Sequence, residues 1–481
     1  MNNAKQSFTF RQVRFFFFLS AGFFLLLLLL LLNGLDQGIS GGMFVYLTIQ
    51  AIFLVLHGIL LYLVKSRRGE DQARGIGSKV LAWLLLLGVI TGNVFASLAA
   101  FYIIKQKRST TTILVFYMIL TDLLVILVSL LNLFKPYVAN TFIPSMTILL
   151  SVLLIHIVFL FVLPFVQKAS KNVKWIIGVT IFLTALTGNL FVLFVLYTLF
   201  LQDQQKRGLL VKLIAYPAPM IGLFFIVFLF MVSVSSYGVF DYGDAVVNDY
   251  TNLLAQPSLA HPFGTDNYGR DVFSRVIFGA RISLIVGFIA TIVPFLIGGI
   301  LGAVSGYFGK RSDNVIMRSL DVLYAIPDLL LAITIIAAFG ASTINLILAL
   351  SVGAIPGYAR TMRANVLQVS NLEYVESARA LGANHLKILI KHVIPNSMAP
   401  MIVRSTLTVG TAVLATSSLS FLGLGVEPHI PEWGNILRLG SSYLESQPHL
   451  ALFPGLAIIV LVLSFNFLGD GLRDATDPRL S

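Results

Sequence analysis

The sequence contains no cysteine, which excludes disulfides, thiolate metal sites and thiol nucleophiles. It is also poor in charge. Only 11% of its 481 residues are Asp, Glu, Lys or Arg, against roughly 25% in an ordinary soluble domain. A phosphate-binding Walker loop is missing as well. Its nearest candidate is Gly309-Lys310, but position 304 is Val where a glycine is needed, and position 311 is Arg where Ser or Thr would hold magnesium. ATP hydrolysis by this chain is therefore not expected. The external histidines His261, His429 and His449 are scattered without ligand spacing, so no metal site is expected.

What fills the chain instead is apolar sequence, 57% of it. About 20 apolar residues cross the roughly 30 Å hydrocarbon layer as a helix. Twelve runs meet that length or come close: 15–33, 43–64, 80–104, 113–134, 142–166, 175–201, 214–236, 283–306, 315–340, 345–366, 397–420 and 450–468. They lack the ten-residue alternation of barrel strands, so the expectation is an all-α polytopic membrane protein of about twelve transmembrane helices. The first run follows Lys5, Arg11 and Arg14 and has no small-residue cleavage site after it, so it reads as an uncleaved helix. The formal charge of +12 lies in short loops between the runs, the bias that orients membrane helices, and nucleic acid is not an expected partner. If both termini are cytoplasmic and every run crosses, Lys135 falls inside. Lys105, Lys107, Arg108, Lys168, Lys171 and Lys174 then fall outside, against the bias.

The chain divides near residue 208. Residues 1–208 hold six closely spaced runs with a faint internal echo. Trp83 through Thr91-Gly92-Asn93 matches Trp175 through Thr187-Gly188-Asn189. A repeat of three crossings would invert its second copy. Asp122 and His156 are ionisable groups inside runs. They read either as a proton relay or as hydrogen-bonding glue between helices, and glue is the favoured reading. Residues 237–282 and 421–449 are polar, rich in Pro, Gly, Asp and Asn, and are expected outside.

The most informative stretch is 370–396, polar and amphipathic between two apolar runs. Tyr374–Leu381 has helical composition. Gly382 suits the left-handed position after a helix, and Pro395 would interrupt or bend a second helix over 385–394. This segment resembles the EAA loop (E-A-A-x3-G-x9-I-x-L-P) of ABC importer permeases. Glu376, Ala378, Gly382 and Pro395 match the pattern. Ser377 replaces an alanine, and His392 stands at an isoleucine position. Further stretches resemble the oligopeptide, dipeptide and nickel branch of that family: His261-Pro262-Phe263-Gly264-Thr265-Asp266-Asn267-Tyr268-Gly269-Arg270-Asp271, Gly279-Ala280-Arg281, Leu320–Pro327, Ser420–Gly425 and Gly469–Asp474 with Asp477-Pro478-Arg479.

The resemblance covers about 209–481 and carries several implications. The last six helices would form a type I ABC importer permease core in a bacterial inner membrane, moving di- or oligopeptides and performing no catalysis itself. Glu376, Ser377, Ala378, Gly382, His392 and Pro395 would couple it to an ATPase. A second homologous permease, two ATPases that bind ATP and magnesium, and an external substrate-binding protein would be partners. Asp266, Arg270, Asp271 and Trp433 are candidates for docking that binding protein. Nickel or another small solute is the alternative cargo, and a membrane sensor built on a permease core is the alternative role.

Overall fold

A computed structural model describes residues 8–34, 41–66, 75–104, 109–200 and 208–476. It is helical throughout, apart from one antiparallel bridge between Thr265 and Asp271. The chain packs as two units, one of residues 1–130 and 146–217, the other of 131–145 and 218–481.

The first unit repeats one plan twice. Helices α1 (Phe8–Gly34) and α2 (Gly41–Ser66) are followed by α3 (Ile76–Leu86), a 3-10 turn (Leu87–Thr91) and α4 (Val94–Ile104). Helices α5 (Thr110–Leu130) and α6 (Phe142–Lys168) are followed by α7 (Lys171–Thr184), a 3-10 turn (Ala185–Thr187) and α8 (Phe191–Phe200). The runs 80–104 and 175–201, read from sequence as single crossings, are therefore hairpins. The chain reverses at Gly92 (φ 77°) and Gly188 (φ 93°), left-handed positions that suit glycine. Ser97 Oγ donates to Leu86 O at 3.2 Å, and the rings of Trp175 and Phe200 lie 4.9 Å apart. Neither contact is reachable along a straight helix rising 1.5 Å per residue. At 11 and 10 residues, α4 and α8 reach about 16 Å, half the hydrocarbon layer. A hairpin returns the chain to its starting side, so each copy contains two full crossings and the second copy is not inverted. The unit closes with α9 (Gly208–Ala215).

The second unit begins with residues 131–145 and continues through α10 (Pro217–Val239), α11 (Gly243–Val246) and the 37-residue α12 (Val272–Phe308). Then come the amphipathic α13 (Lys310–Tyr324), α14 (Asp328–Phe339), bent from it by 81°, and α15 (Thr343–Ser370). The rest is α16 (Glu373–Ala380), α17 (His385–Ile388), α18 (Ile394–Phe421), α19 (Trp433–Ser441) and α20 (His449–Thr476). Among the described residues, eight helices are long and apolar enough to cross a bilayer, nine with the bent α13–α14 pair. The count falls short of twelve because two runs are hairpins and because α15 (Thr343–Ser370) is long enough but less apolar than the helices counted.

Helices α12 and α15 form the spine of this unit. Gly298, Gly302 and Gly306 lie one turn apart on α12 and face Ile355 O, Ala359 O and Arg363 O of α15. A β-carbon at any of the three would fall inside the van der Waals contact of those carbonyls. The helices thus pack backbone to backbone, as small-xxx-small stripes allow where lipid supplies no hydrophobic drive. At the end of this seam, Arg363 grips Asp313 with two bonds of 2.5 and 2.6 Å, and Ser305 Oγ donates to the same carboxylate.

Candidate functional site: a surface knob on the permease core

Helix α16 is short and two-faced. Val375 is fully buried in a cluster with Met362, Val366, Val369, Ile388 and Val393. Ala378 and Ala383 pack against that cluster from the edge. Glu376, Ser377 and Arg379 point away from it and are exposed, and Leu381 is 88% exposed. The knob is about two turns of helix pinned by one valine, offering charge and an apolar tip outward. Small side chains at 377 and 378 keep its flanks narrow. Ser377 Oγ donates to Glu373 O at 2.9 Å, which tucks the hydroxyl against the helix.

The knob is locked on its far side too. Gly382 has φ 78°, and nothing lies within 4 Å of a β-carbon placed there. The backbone conformation alone demands glycine at that point. It lets Ala383 N–H reach Ala378 O at 3.2 Å. The Asn384 side chain then accepts from Leu386 N–H at 3.2 Å and starts α17. The second helix is interrupted just ahead of Pro395, as expected: α17 gives way to a π-helical turn over Leu389–Val393, and the chain then runs on into α18. The His392 carbonyl accepts from Asn396 Nδ2 at 2.6 Å, so this residue acts here through its backbone. One apolar cluster thus packs α16 against α15, the π-helical turn and the start of α18.

On the opposite end of this unit, the four residues assigned from sequence to docking are all buried, between 0% and 6% exposed. They build the polar segments 237–282 and 421–449 from inside. Asp266 accepts from Tyr268 N–H, Arg270 N–H and Arg270 Nε, the last at 2.8 Å. Asp271 caps α12 through Ser274 N–H at 3.0 Å and also accepts from Lys135 Nζ. Burial would raise its carboxyl, but the His261 hydrogen bond and the Lys135 charge outweigh that and hold it below the usual range. Trp433 donates from Nε1 to Val276 O at 2.9 Å and fills the space that Gly279 leaves free. Glu432 caps α19 through Gly434 and Asn435 N–H, and its burial raises its carboxyl pKa. Direct docking through the side chains of Asp266, Arg270, Asp271 or Trp433 is thereby corrected: each is spent on internal bonds.

Lys135 also corrects the orientation read from sequence. Its ammonium touches Asp244 at 2.6 Å and Asp271 at 2.9 Å, so it shares a side with the 237–282 segment and is not opposite to it.

In the first unit, Asp122 and His156 meet. His156 Nδ1 lies 2.5 Å from Asp122 Oδ2, and its Nε2 lies 2.8 Å from Thr184 Oγ1. Asn189, at the tip of the second hairpin, donates to Asp122 Oδ1 at 2.8 Å. The first copy places Asn93 in the same role, bonded to Ser20 and Gln50. Every member of both clusters is buried. These polar groups satisfy the hairpin tips at membrane depth, where unpaired backbone and side-chain groups are costly.

Among the described residues no three His, Asp or Glu side chains gather as a metal-binding set. The Asp477-Pro478-Arg479 motif lies outside the described residues. Two features of the core went unread in the sequence. The Gly298/Gly302/Gly306 stripe carried a visible small-xxx-small signal, whereas Val375 as an anchor carried none.

The architecture is that of a membrane-embedded transport component, and comparison with known proteins agrees. Residues 295–481 match the family model described as "Binding-protein-dependent transport system inner membrane component". Over 232 residues the chain is 46% identical to the Glutathione transport system permease protein GsiD of Pectobacterium atrosepticum, covering 48% of this chain and 77% of that protein. It is 42% identical over 261 residues to GsiD of Escherichia coli O6:K15:H31, covering 54% and 86%. It is 43% identical over 230 residues to the Dipeptide transport system permease protein DppC of Alkalihalophilus pseudofirmus, covering 48% and 76%. The chain belongs to the binding-protein-dependent, ABC-type importer permeases of the inner membrane. It is a transport subunit and not an enzyme, and membership in this family entails an ATPase and a substrate-binding protein as partners.

Proposed function

We propose that residues 218–476, with a second related permease, line the import path for short peptides, driven by two ATPases that hold ATP and magnesium. The observation carrying this reading is the knob of α16, anchored by Val375 and open at Glu376, Arg379 and Leu381. An ATPase subunit with a matching groove would seat on it. Closure of the ATPases would draw the knobs together and rotate the α12–α15 spine as one body. The glutathione and dipeptide permeases among the relatives favour a peptide cargo.

The hairpins support an orientation with both termini in the cytoplasm. With α3–α4 and α7–α8 entering and leaving on one side, every Lys and Arg of the first 217 residues falls on the cytoplasmic side except Lys135. Lys135 is the one neutralised by Asp244 and Asp271. The binding protein would then dock on the surface that the external segments expose, at Tyr250, Leu259 and Leu444.

The test is substitution at the knob. Glu376→Lys and Gly382→Pro should abolish uptake of a radiolabelled dipeptide while the protein stays in the membrane. Copurification from mild detergent should yield two ATPases and a sister permease from wild type, and no ATPase from Glu376→Lys. Normal uptake by both variants would refute the coupling role.

A further inference from the structure

One cavity of the second unit carries a charge that nothing above uses. It holds about 330 Å³ between α12, α14, α15 and α18, and its lining is apolar apart from Asp328, Thr408, Thr411 and Ser418. Asp328 is exposed to it and makes no side-chain hydrogen bond or ion pair among the described residues. It sits just beyond the α13–α14 bend, beside Ala290 at the middle of α12. A carboxylate at that depth, without a partner, is expensive unless a cation comes to it.

A complementary charge stands one turn away. Gly353 of α15 lies beside Asp328, whose Oδ1 is 3.6 Å from a β-carbon placed at Gly353. Four residues on, Gly357 lies under the guanidinium of Arg404. Arg404 is exposed, steadied by Thr361 Oγ1 at 3.0 Å and by the Tyr358 ring at 5.2 Å, with no carboxylate partner among the described residues. Thr408, one turn after Arg404 on α18, lines the same cavity. The acid and the base thus sit beside two glycines on one face of α15, Gly353 and Gly357, which lie four residues or about 6 Å apart along the helix. The two charged ends of an extended dipeptide are about 7 Å apart.

We propose that Asp328 and Arg404 read the two ends of a short zwitterionic peptide inside the permease, the ammonium at Asp328 and the carboxylate at Arg404. Gly353 leaves the peptide backbone room to lie against α15, and Gly357 lets the Arg404 guanidinium settle onto the same helix. The site rests on the peptide reading above and adds its substrate class: free termini at both ends, with side chains left unread in an apolar cavity.

The assembled complex, with its ATPases, sister permease and binding protein in liposomes, tests this with dialanine. Asp328→Asn and Arg404→Gln should each lower the maximal uptake rate about tenfold, the worth of one charge-assisted hydrogen bond. The half-saturating concentration, set by the external binding protein, should not move, and Asp328→Glu should recover most of the rate. A second arm needs no variant. Dicyclohexylcarbodiimide added to wild type with dialanine should join the Asp328 carboxyl to the peptide amine as an amide, the lost oxygen leaving in dicyclohexylurea. Mass spectrometry should find that adduct, and N-acetyl-dialanine should give none. Wild-type rates in either neutral variant, absence of the adduct, or an Asp328 cross-link to the sister subunit would each overturn the site. A wild-type complex that moves no dialanine would instead refute the peptide reading itself.

Discussion

Lys135 Nζ lies 2.9 Å from Asp271 Oδ2, and both side chains are at most 4% exposed. The lysine comes from the segment between α5 and α6, and the aspartate is the cap of the longest helix in the permease core. With Asp244 and Ser274 also on the ammonium, this is a buried charge cluster with its members mutually satisfied.

Breaking it from one side should be severe. Lys135→Met leaves two acids facing each other without their cation, a loss of about 3–5 kcal/mol for a buried pair. Thermal melting of the detergent-solubilised protein should show a clear drop for Lys135→Met. It should show partial recovery for Lys135→Met with Asp271→Asn. Because the Asp271 carboxyl is held below its unfolded value, its contribution is fully present above the ordinary carboxylate range. It should fade only as pH falls below about 4.

Glu432 should behave in the opposite sense. Its folded pKa is raised by burial, so the protonated form is the better tolerated one. Folded stability is then favoured at low pH and falls as pH rises through the raised pKa. Glu432→Gln keeps an oxygen for Gly434 N–H and cannot ionise. Its melting temperature should therefore vary less between pH 4.5 and 7.5 than that of wild type, and an identical pH profile would count against the raised value.

The α12–α15 seam should tolerate no side chain at Gly302, where even a β-carbon would clash with Ala359 O. Gly302→Leu would force apart carbonyls that now touch the glycine face, an overpacking cost of about 1–3 kcal/mol or more. Uptake should fail even where the protein still inserts. Gly299→Leu, whose β-carbon meets only the Met401 methyl at 3.4 Å, should be milder in the same uptake assay.

The Asp122 cluster separates glue from relay. Asp122→Ala strands His156 and Asn189 and should lower the melting point markedly, whereas the isosteric Asp122→Asn should cost less. Under the packing role, uptake by Asp122→Asn stays at the wild-type rate and keeps its dependence on ATP alone. Uptake that becomes insensitive to a proton gradient only in this variant would mark a relay.

Much of this architecture was readable before any coordinates. Glu376 through Gly382 declared the knob because a helix, a left-handed glycine and a proline have chemical signatures independent of context. The helix count was less legible. An apolar run broken by Thr-Gly-Asn looks the same whether the helix continues or folds back. The choice depends on whether Asn93 and Asn189 find Ser20, Gln50 and Asp122 waiting on other helices. The docking residues misled for a related reason. Asp266, Arg270 and Asp271 read as surface in a polar stretch, yet Asp266 and Arg270 turn inward onto each other and Asp271 meets Lys135 from far away in sequence.

By itself the sequence determined that the chain is helical and membrane-borne, that it carries no Walker phosphate loop, and that a short polar helix closed by a left-handed glycine lies within 370–396. Those properties follow from composition and from local backbone chemistry, which act over a few residues. Tertiary structure alone decided that two runs turn back on themselves, that Val375 anchors the knob, that Lys135 sits beside its two acids, and that Asp328 and Arg404 lie along one face of α15. Each of these turns on contacts between distant residues, and the energy of burying a charge or seating a glycine exists only once its neighbours are in place.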